Sequence, residues 1–259
     1  MSWARGIPLA EACGFAFLAG FVDAIAGGGG LIQLPAFFIL FPAMAPVTVL
    51  GTNKMASFFG TSVAAGRFAR SVRLDWHVLA PAAATAFAFS MAGSWAVSRL
   101  NPNVLRPVVF GMLIVAAIYV YVVKDIGLEH RPRHGKVRGR WLGILVGAAL
   151  GFYDGFFGPG TGSFLILIFA SFFGFEFLIA SGSAKVVNCA TNLASVIYFA
   201  WRGNVLYALA IPMAAFNILG SIAGTHLAIL KGSKFVRVVF LVIVVALIGK
   251  LGWDLLHHR

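Results

Sequence analysis

Read for the spacing of apolar and polar positions, the chain breaks into ten apolar pieces separated by short polar joints. They run roughly over 8–26, 31–41, 47–68, 76–98 and 104–123, then over 141–157, 161–173, 177–200, 205–229 and 235–256. Most have about the 20 residues that a helix needs to cross a bilayer. The second piece of each five is shorter and follows a glycine-rich break, Gly27 to Gly30 in one case and Gly158-Pro159-Gly160 in the other. The pattern predicts an all-α membrane protein in which a helix is broken twice at equivalent places.

Self-comparison explains the equivalence. Gly20-Phe21-Val22-Asp23 matches Gly151-Phe152-Tyr153-Asp154 at an offset of 131 residues. The same offset, without a gap, sets Gly27 on Gly158, Gly29 on Gly160, Lys54 on Lys185, Pro81 on Pro212, Gly93 on Gly224 and Arg106 on Arg237. The expected organisation is two tandem repeats of four to five membrane segments each, 1–123 and 141–259, joined by a basic linker, 124–140. Topology stays open at this point. One crossing plus a re-entrant half-helix gives four crossings per copy and parallel repeats; two crossings give five and inverted repeats.

Composition agrees: 60% of the residues are hydrophobic, 11% are charged, and the mean hydropathy is +0.93. A soluble domain carries about a quarter of its residues as charges. The net charge of +12 raises nucleic-acid binding, but the bases lie in joints (Arg67, Arg70, Arg73; 124–140; Lys231, Lys234, Arg237), as inside-facing loops require. With no nucleic-acid-reading motif beside them, the expected partners are the lipid bilayer and a small solute, with self-association open. Arg5 before an apolar run resembles a signal peptide, but Glu11 and Asp23 interrupt the run, so a retained first segment is expected. Cys13 and Cys189 offer neither a disulfide framework nor ligand spacing; His130 and His134 have no zinc partners, and no cofactor or metal is expected. The glycine run lacks the G-x-x-x-x-G-K-[ST] pattern of a phosphate loop.

Of eight acidic residues, Glu11, Asp75, Asp125, Glu129, Glu176 and Asp254 fall at or near segment ends. Asp23 and Asp154 do not, and neither do Lys54 and Lys185. A charge at a helix centre costs roughly 2.5–3.5 kcal/mol on insertion scales, so two matched pairs need compensation. One reading is structural: each Asp pairs with a Lys and pins a broken helix. The other is functional. Unwound backbone at membrane depth survives only in protein or beside a cavity. There, half-helices starting at Gly30-Leu31 and at Pro159-Gly160-Thr161 present unpaired amides and partial positive charge, with Gly28, Gly29, Gly160 and Thr161 as candidate binding positions. With Lys54 and Lys185 they suit a small anion. Thr52, Asn53, Ser57 and Gln33, and Ser163, Asn188 and Asn192, supply further donors, since amides facing lipid are costly. Asp23 and Asp154, held between helix dipole, desolvation and a neighbouring Lys, are candidates for proton coupling or ion pairing.

These same residues resemble the TauE/SafE sulfite-exporter family of permeases over nearly the whole chain. The resemblance rests on residues 20–30 with Pro35 and Gly51-Thr52-Asn53-Lys54, and on residues 154–162 with Ala184-Lys185-Val186-Val187-Asn188, Thr191 and Asn192. It implies a multi-pass bacterial inner-membrane transporter of sulfite, sulfonates or related anions. The copies differ, with Asn53 matched by Ala184 and Gln33 by Phe164, which favours one shared site over two equal ones. A secondary carrier working by alternating access is the expected function. A passive channel, a subunit of a larger complex and a membrane enzyme are the rivals, the last disfavoured because no catalytic constellation is present.

Overall fold

The computed structural model describes residues 6–101 and 135–257. The apolar piece 104–123, most of the linker, and Arg106, Asp125, Glu129, His130 and His134 lie outside them. All regular structure among the described residues is helical: α1 (Gly6–Ala26), α2 (Gly29–Leu40), α3 (Pro46–Ser71), α4 (Trp76–Ser98), α5 (Lys136–Phe156), α6 (Thr161–Ser171), α7 (Phe177–Trp201) and α8 (Tyr207–His257). α8 is interrupted at Gly232 (φ 71°, ψ −169°). Three stretches are long and apolar enough to cross a membrane, Leu9–Ala26, Trp76–Ser98 and Tyr207–Val236, while α2 and α6 are short apolar helices. Local chemistry fixes the starts. Pro46 opens α3, where a missing amide costs nothing, and Asp75 caps α4 by accepting from the His77 amide at 3.1 Å. Pro159 stands just outside α6, whose cap is Gly160.

Small residues set the packing. On α5 Gly139, Gly143, Gly147, Gly151 and Gly155 recur every fourth position and face α4. Gly143 lies on Val78, Gly147 on Ala82, Gly151 on Ala86 and Gly155 on Ser90, so the two helices run parallel at backbone distance. α1 runs parallel to α8 in the same way, with Gly20 on Asn217 and Gly224 on Phe21. Where lipid tails solvate apolar side chains as well as protein does, such close approach supplies much of the association energy. A Cβ on Gly151 would lie 2.5 Å from Ala86 Cα and O. Gly151→Val should therefore push α5 off α4 and cost about 1–3 kcal/mol or more, read as a lower unfolding temperature in detergent.

The contacts also give directions. α4 starts beside the carboxyl end of α3, whereas α8 starts beside its amino end, where the Leu206 amide donates to Thr52 Oγ1 at 3.0 Å. Hence α1, parallel to α8, enters from the amino-end side of α3, and α5 enters from the other side. α2 then turns back: Phe37, Phe38 and Phe41 share a buried cluster with Ala12, Cys13 and Ala16 near the start of α1. α6 turns back likewise, its Phe169, Ala170 and Phe173 clustering with Val78 and Leu79, beside which α5 begins. Each broken helix is thus a hairpin that returns to the side it entered from, and the two hairpins enter from opposite sides. Entry from opposite sides is the relation that the inverted alternative weighed from sequence also gives, although here each short second piece returns instead of crossing. The outer surface is apolar (Leu145, Ile211, Leu219), and exposed tryptophans stand near helix ends at both levels (Trp76 and Trp141; Trp95 and Trp201), as in a membrane interface belt.

Candidate functional site

The hairpin tips meet at the centre. Ser163 Oγ donates to the Ala26 carbonyl at 2.8 Å, and Gly27 lies directly on Gly162. Gly27 has φ 76°, a left-handed conformation that glycine adopts without strain. Because both tips are unwound, α2 and α6 begin here, and their amino ends border a small cavity through Gly29, Gly30, Gly160 and Gly162. Its volume is about 30 Å³, room for a water or two.

Around it the four intramembrane charges form two ion pairs that cross between the halves of the chain. Lys54 Nζ on α3 donates to Asp154 Oδ2 on α5 at 2.5 Å, and Lys185 Nζ on α7 donates to Asp23 Oδ2 on α1 at 2.8 Å. A polar residue attends each pair. Lys54 also donates to Asn192 Oδ1 at 3.1 Å, and Thr61 Oγ1 donates to Asp23 at 3.4 Å. At the 131-residue offset Thr61 corresponds to Asn192, so the clusters are counterparts that differ in which partner the polar group assists. The lysines therefore do not stand as free positive charges. The formal charges cancel, and the unbalanced field is that of the helix amino ends, roughly half a charge each.

The candidates divide by position. Lys54, Asn53, Asn188, Asn192, Gly29, Gly160, Asp23 and Asp154 border the cavity, as do Ser57, Thr61 and Asn217. Lys185 does not; it is fully buried behind Asp23. Thr52 is engaged with the start of α8, and Thr161 Oγ1 turns back to the Gly158 carbonyl at 2.8 Å. Gly28 caps α2, and Ser163 is spent on the Ala26 carbonyl. Gln33 lies one layer out: Asn217 Nδ2 donates to its Oε1 at 3.3 Å and to the Ala16 carbonyl at 3.0 Å. Asn217 escaped the reading of the sequence because its counterpart is Ala86. Its signal was an amide in an apolar run, with Ser221 and Thr225 following at four-residue steps beside Gly220 and Gly224. Asn53 Oδ1 and Gln33 Nε2 are buried without a hydrogen-bond partner among the described residues. Among those residues no cluster of His, Cys, Asp or Glu could hold a metal ion.

Known proteins share this sequence pattern. The family model described as sulfite exporter TauE/SafE matches residues 12–251. The chain is 33% identical over 239 residues to a probable membrane transporter protein, YfcA, of Escherichia coli K12, covering 92% of this chain and 87% of the relative. It is 33% identical over 242 residues to the probable membrane transporter protein ORF9 of a Sinorhizobium species, covering 93% and 91%. A probable membrane transporter protein of Haemophilus influenzae gives the same identity over 242 residues, at 92% of each. No solved structure gives a significant match.

Proposed function

The chain belongs to the sulfite exporter TauE/SafE family of membrane transporters, and on that footing we propose that it is a secondary carrier of small oxyanions, with sulfite and small sulfonates the substrates to test first. The observation that carries the reading is the cavity at the hairpin crossing, where two helix amino ends converge beside Lys54 and three asparagines, Asn53, Asn188 and Asn192. Amide hydrogens and an ammonium group match an oxyanion's acceptors, and the low surrounding dielectric strengthens both. The chain is arranged as two inverted repeats that share this one site, and the protein resides in a bacterial inner membrane as a multi-pass carrier. Arg67, Arg70, Arg73, Lys136, Arg138, Arg140, Lys231 and Lys234 gather at the end of the bundle where α3 finishes and α5 begins. By the positive-inside rule that end is cytoplasmic.

In this reading Lys54 exchanges its partner during transport. A proton taken up by Asp154 removes the carboxylate charge, freeing the ammonium to hold the anion while Asn192 keeps it in place. Deprotonation reclaims Lys54 and expels the anion, so proton and anion travel together. Direct measurement uses purified protein in liposomes carrying a pH-sensitive dye. Sulfite should enter faster than chloride or sulfate and acidify the lumen with it, and Asn192→Ala should lower sulfite flux roughly ten-fold, the loss of about one charge-assisted hydrogen bond. Flux of equal size for every anion, with no proton movement, would sink the carrier reading.

A further inference from the structure

We infer that the two crossed ion pairs are opposed gates, Lys54–Asp154 closing the cavity towards the side where α3 begins and Lys185–Asp23 closing it towards the side where α3 ends. The inference deepens the carrier reading and rests on it. Its basis is depth. Lys54 lies eight residues inside the start of α3, and Lys185 lies eight residues inside the start of α7. The helices are antiparallel: Gly182 near the start of α7 lies on Phe68 near the end of α3, and Gly51 near the start of α3 lies on Phe199 near the end of α7. At 1.5 Å per residue each lysine Cα is roughly 12 Å from its own side, and the two Cα levels lie about 15 Å apart along the bundle. The long side chains bring Lys54–Asp154 and Asp23 to opposite edges of one cavity.

Four of the polar groups that border the cavity lie between the two lysine levels, with Asn53 one residue outside them. Ser57 and Thr61 follow Lys54 on α3, and Asn188 and Asn192 follow Lys185 on α7. Each pair also joins a crossing helix to a hairpin from the opposite half of the chain, α3 to α5 and α7 to α1. Breaking one pair therefore loosens one hairpin from one long helix on one side, while the other pair still seals the far side. With both pairs formed, Lys54, Asp154 and Lys185 are buried and Asp23 keeps about 15% of its side chain exposed. The closures are unequal. Lys54 borders the cavity, where an anion can compete for it, whereas Lys185 is sealed behind Asp23. The gate on the side where α3 begins is thus opened by competition at Lys54, and the gate on the other side opens only when the α1 hairpin itself moves.

The test needs no transported substrate. In the full-length protein with Cys13→Ala and Cys189→Ala, Ser57→Cys places one thiol in the cavity, and a membrane-impermeant maleimide is added to sealed vesicles of known orientation. Adding Asp154→Asn should raise labelling at least about ten-fold from the side where α3 begins, and adding Asp23→Asn should do so from the opposite side. Asp154→Glu and Asp23→Glu should restore protection. If either Asn variant is not recovered folded, Lys54→Gln or Lys185→Gln breaks the same pair and must open the same side. Opening of the same side by both variants, or unchanged labelling in both, would overturn the inference. Opposed labelling in a protein that carries no oxyanion would leave the gates standing and overturn the substrate reading instead.

Discussion

Lys54→Ala should abolish oxyanion transport and lower stability sharply, and the two effects should separate when Asp154→Asn is added. The single substitution leaves Asp154, 1% exposed, as a buried carboxylate at the edge of the cavity without its ammonium partner. Removing one member of a buried pair costs about 3–5 kcal/mol, mostly because the remaining charge is stranded. Much of a membrane protein's marginal stability would be lost, seen as a reduced unfolding temperature and a poor folded yield. Lys54→Ala with Asp154→Asn strands no charge and should recover most of that loss, since the stranded carboxylate is its main source. Transport should not recover, because no cation remains at the cavity. Flux should stay roughly 100-fold below wild type, the equivalent of about 2.7 kcal/mol, in the range of a charge-assisted contact to an anion. Unfolding curves and sulfite flux on the same preparations distinguish the outcomes. Stability and flux recovering together would make Lys54 a structural tie and move the anion site elsewhere.

The counterpart Lys185→Ala strands Asp23, whose side chain is 15% exposed against 2% for Asp154 and which keeps Thr61 as a donor. Its stability loss should be smaller than that of Lys54→Ala for this reason. The difference lies in which member of each pair is more deeply enclosed, and sequence comparison of the halves does not reveal it. At the 131-residue offset the lysines are the same residue at the same place. What was legible was the pairing of charge types with glycine breaks, because a buried charge and a left-handed turn each admit few residue types. The partners were not legible. Within one copy the Asp and Lys look like each other's natural mates, and only the interleaving of the hairpins brings Asp154 to Lys54 and Asp23 to Lys185.

Hairpin direction shows the same limit. The lengths of α2 and α6, 12 and 11 residues, say that neither crosses comfortably, but not which way each turns. That choice is made by side chains distant in sequence, Phe37 and Phe41 meeting Leu209 and Phe199 in one cluster and Phe169 and Phe173 meeting Val78 and Leu79 in the other. The glycine stripe of α5 went unread although it carries a plain signal: five glycines at four-residue spacing share one helical face, which suits close approach to another helix. Thr52 and Gln33 show how a correct residue type can sit beside a site without entering it, as one holds the start of α8 and the other holds Asn217.

The crossing of the hairpin tips yields the other large effect. A Cβ on Gly162 would fall 2.6 Å from the Gly27 carbonyl oxygen and 2.7 Å from its Cα, both backbone atoms that cannot rotate away. Gly162→Ala must therefore part the tips, which breaks the Ser163–Ala26 hydrogen bond and moves both helix amino ends away from the cavity. Overpacking of this kind costs about 1–3 kcal/mol even where side chains yield, and here the obstacle is main chain. Gly27→Ala should be worse, since it adds about 1–2 kcal/mol of left-handed strain at φ 76° to a Cβ only 2.2 Å from the Gly162 carbonyl carbon. Gly66→Ala on α3 is the control. Nothing lies within 4 Å of its Cβ, and the helix should gain about 0.5–1 kcal/mol. Thermal unfolding should rank the proteins Gly66→Ala, wild type, Gly162→Ala and Gly27→Ala from most to least stable, and flux should vanish in the last two. A Gly162→Ala protein as stable and active as the control would mean that the tips do not touch, and with that the cavity between two helix amino ends would lose its physical basis.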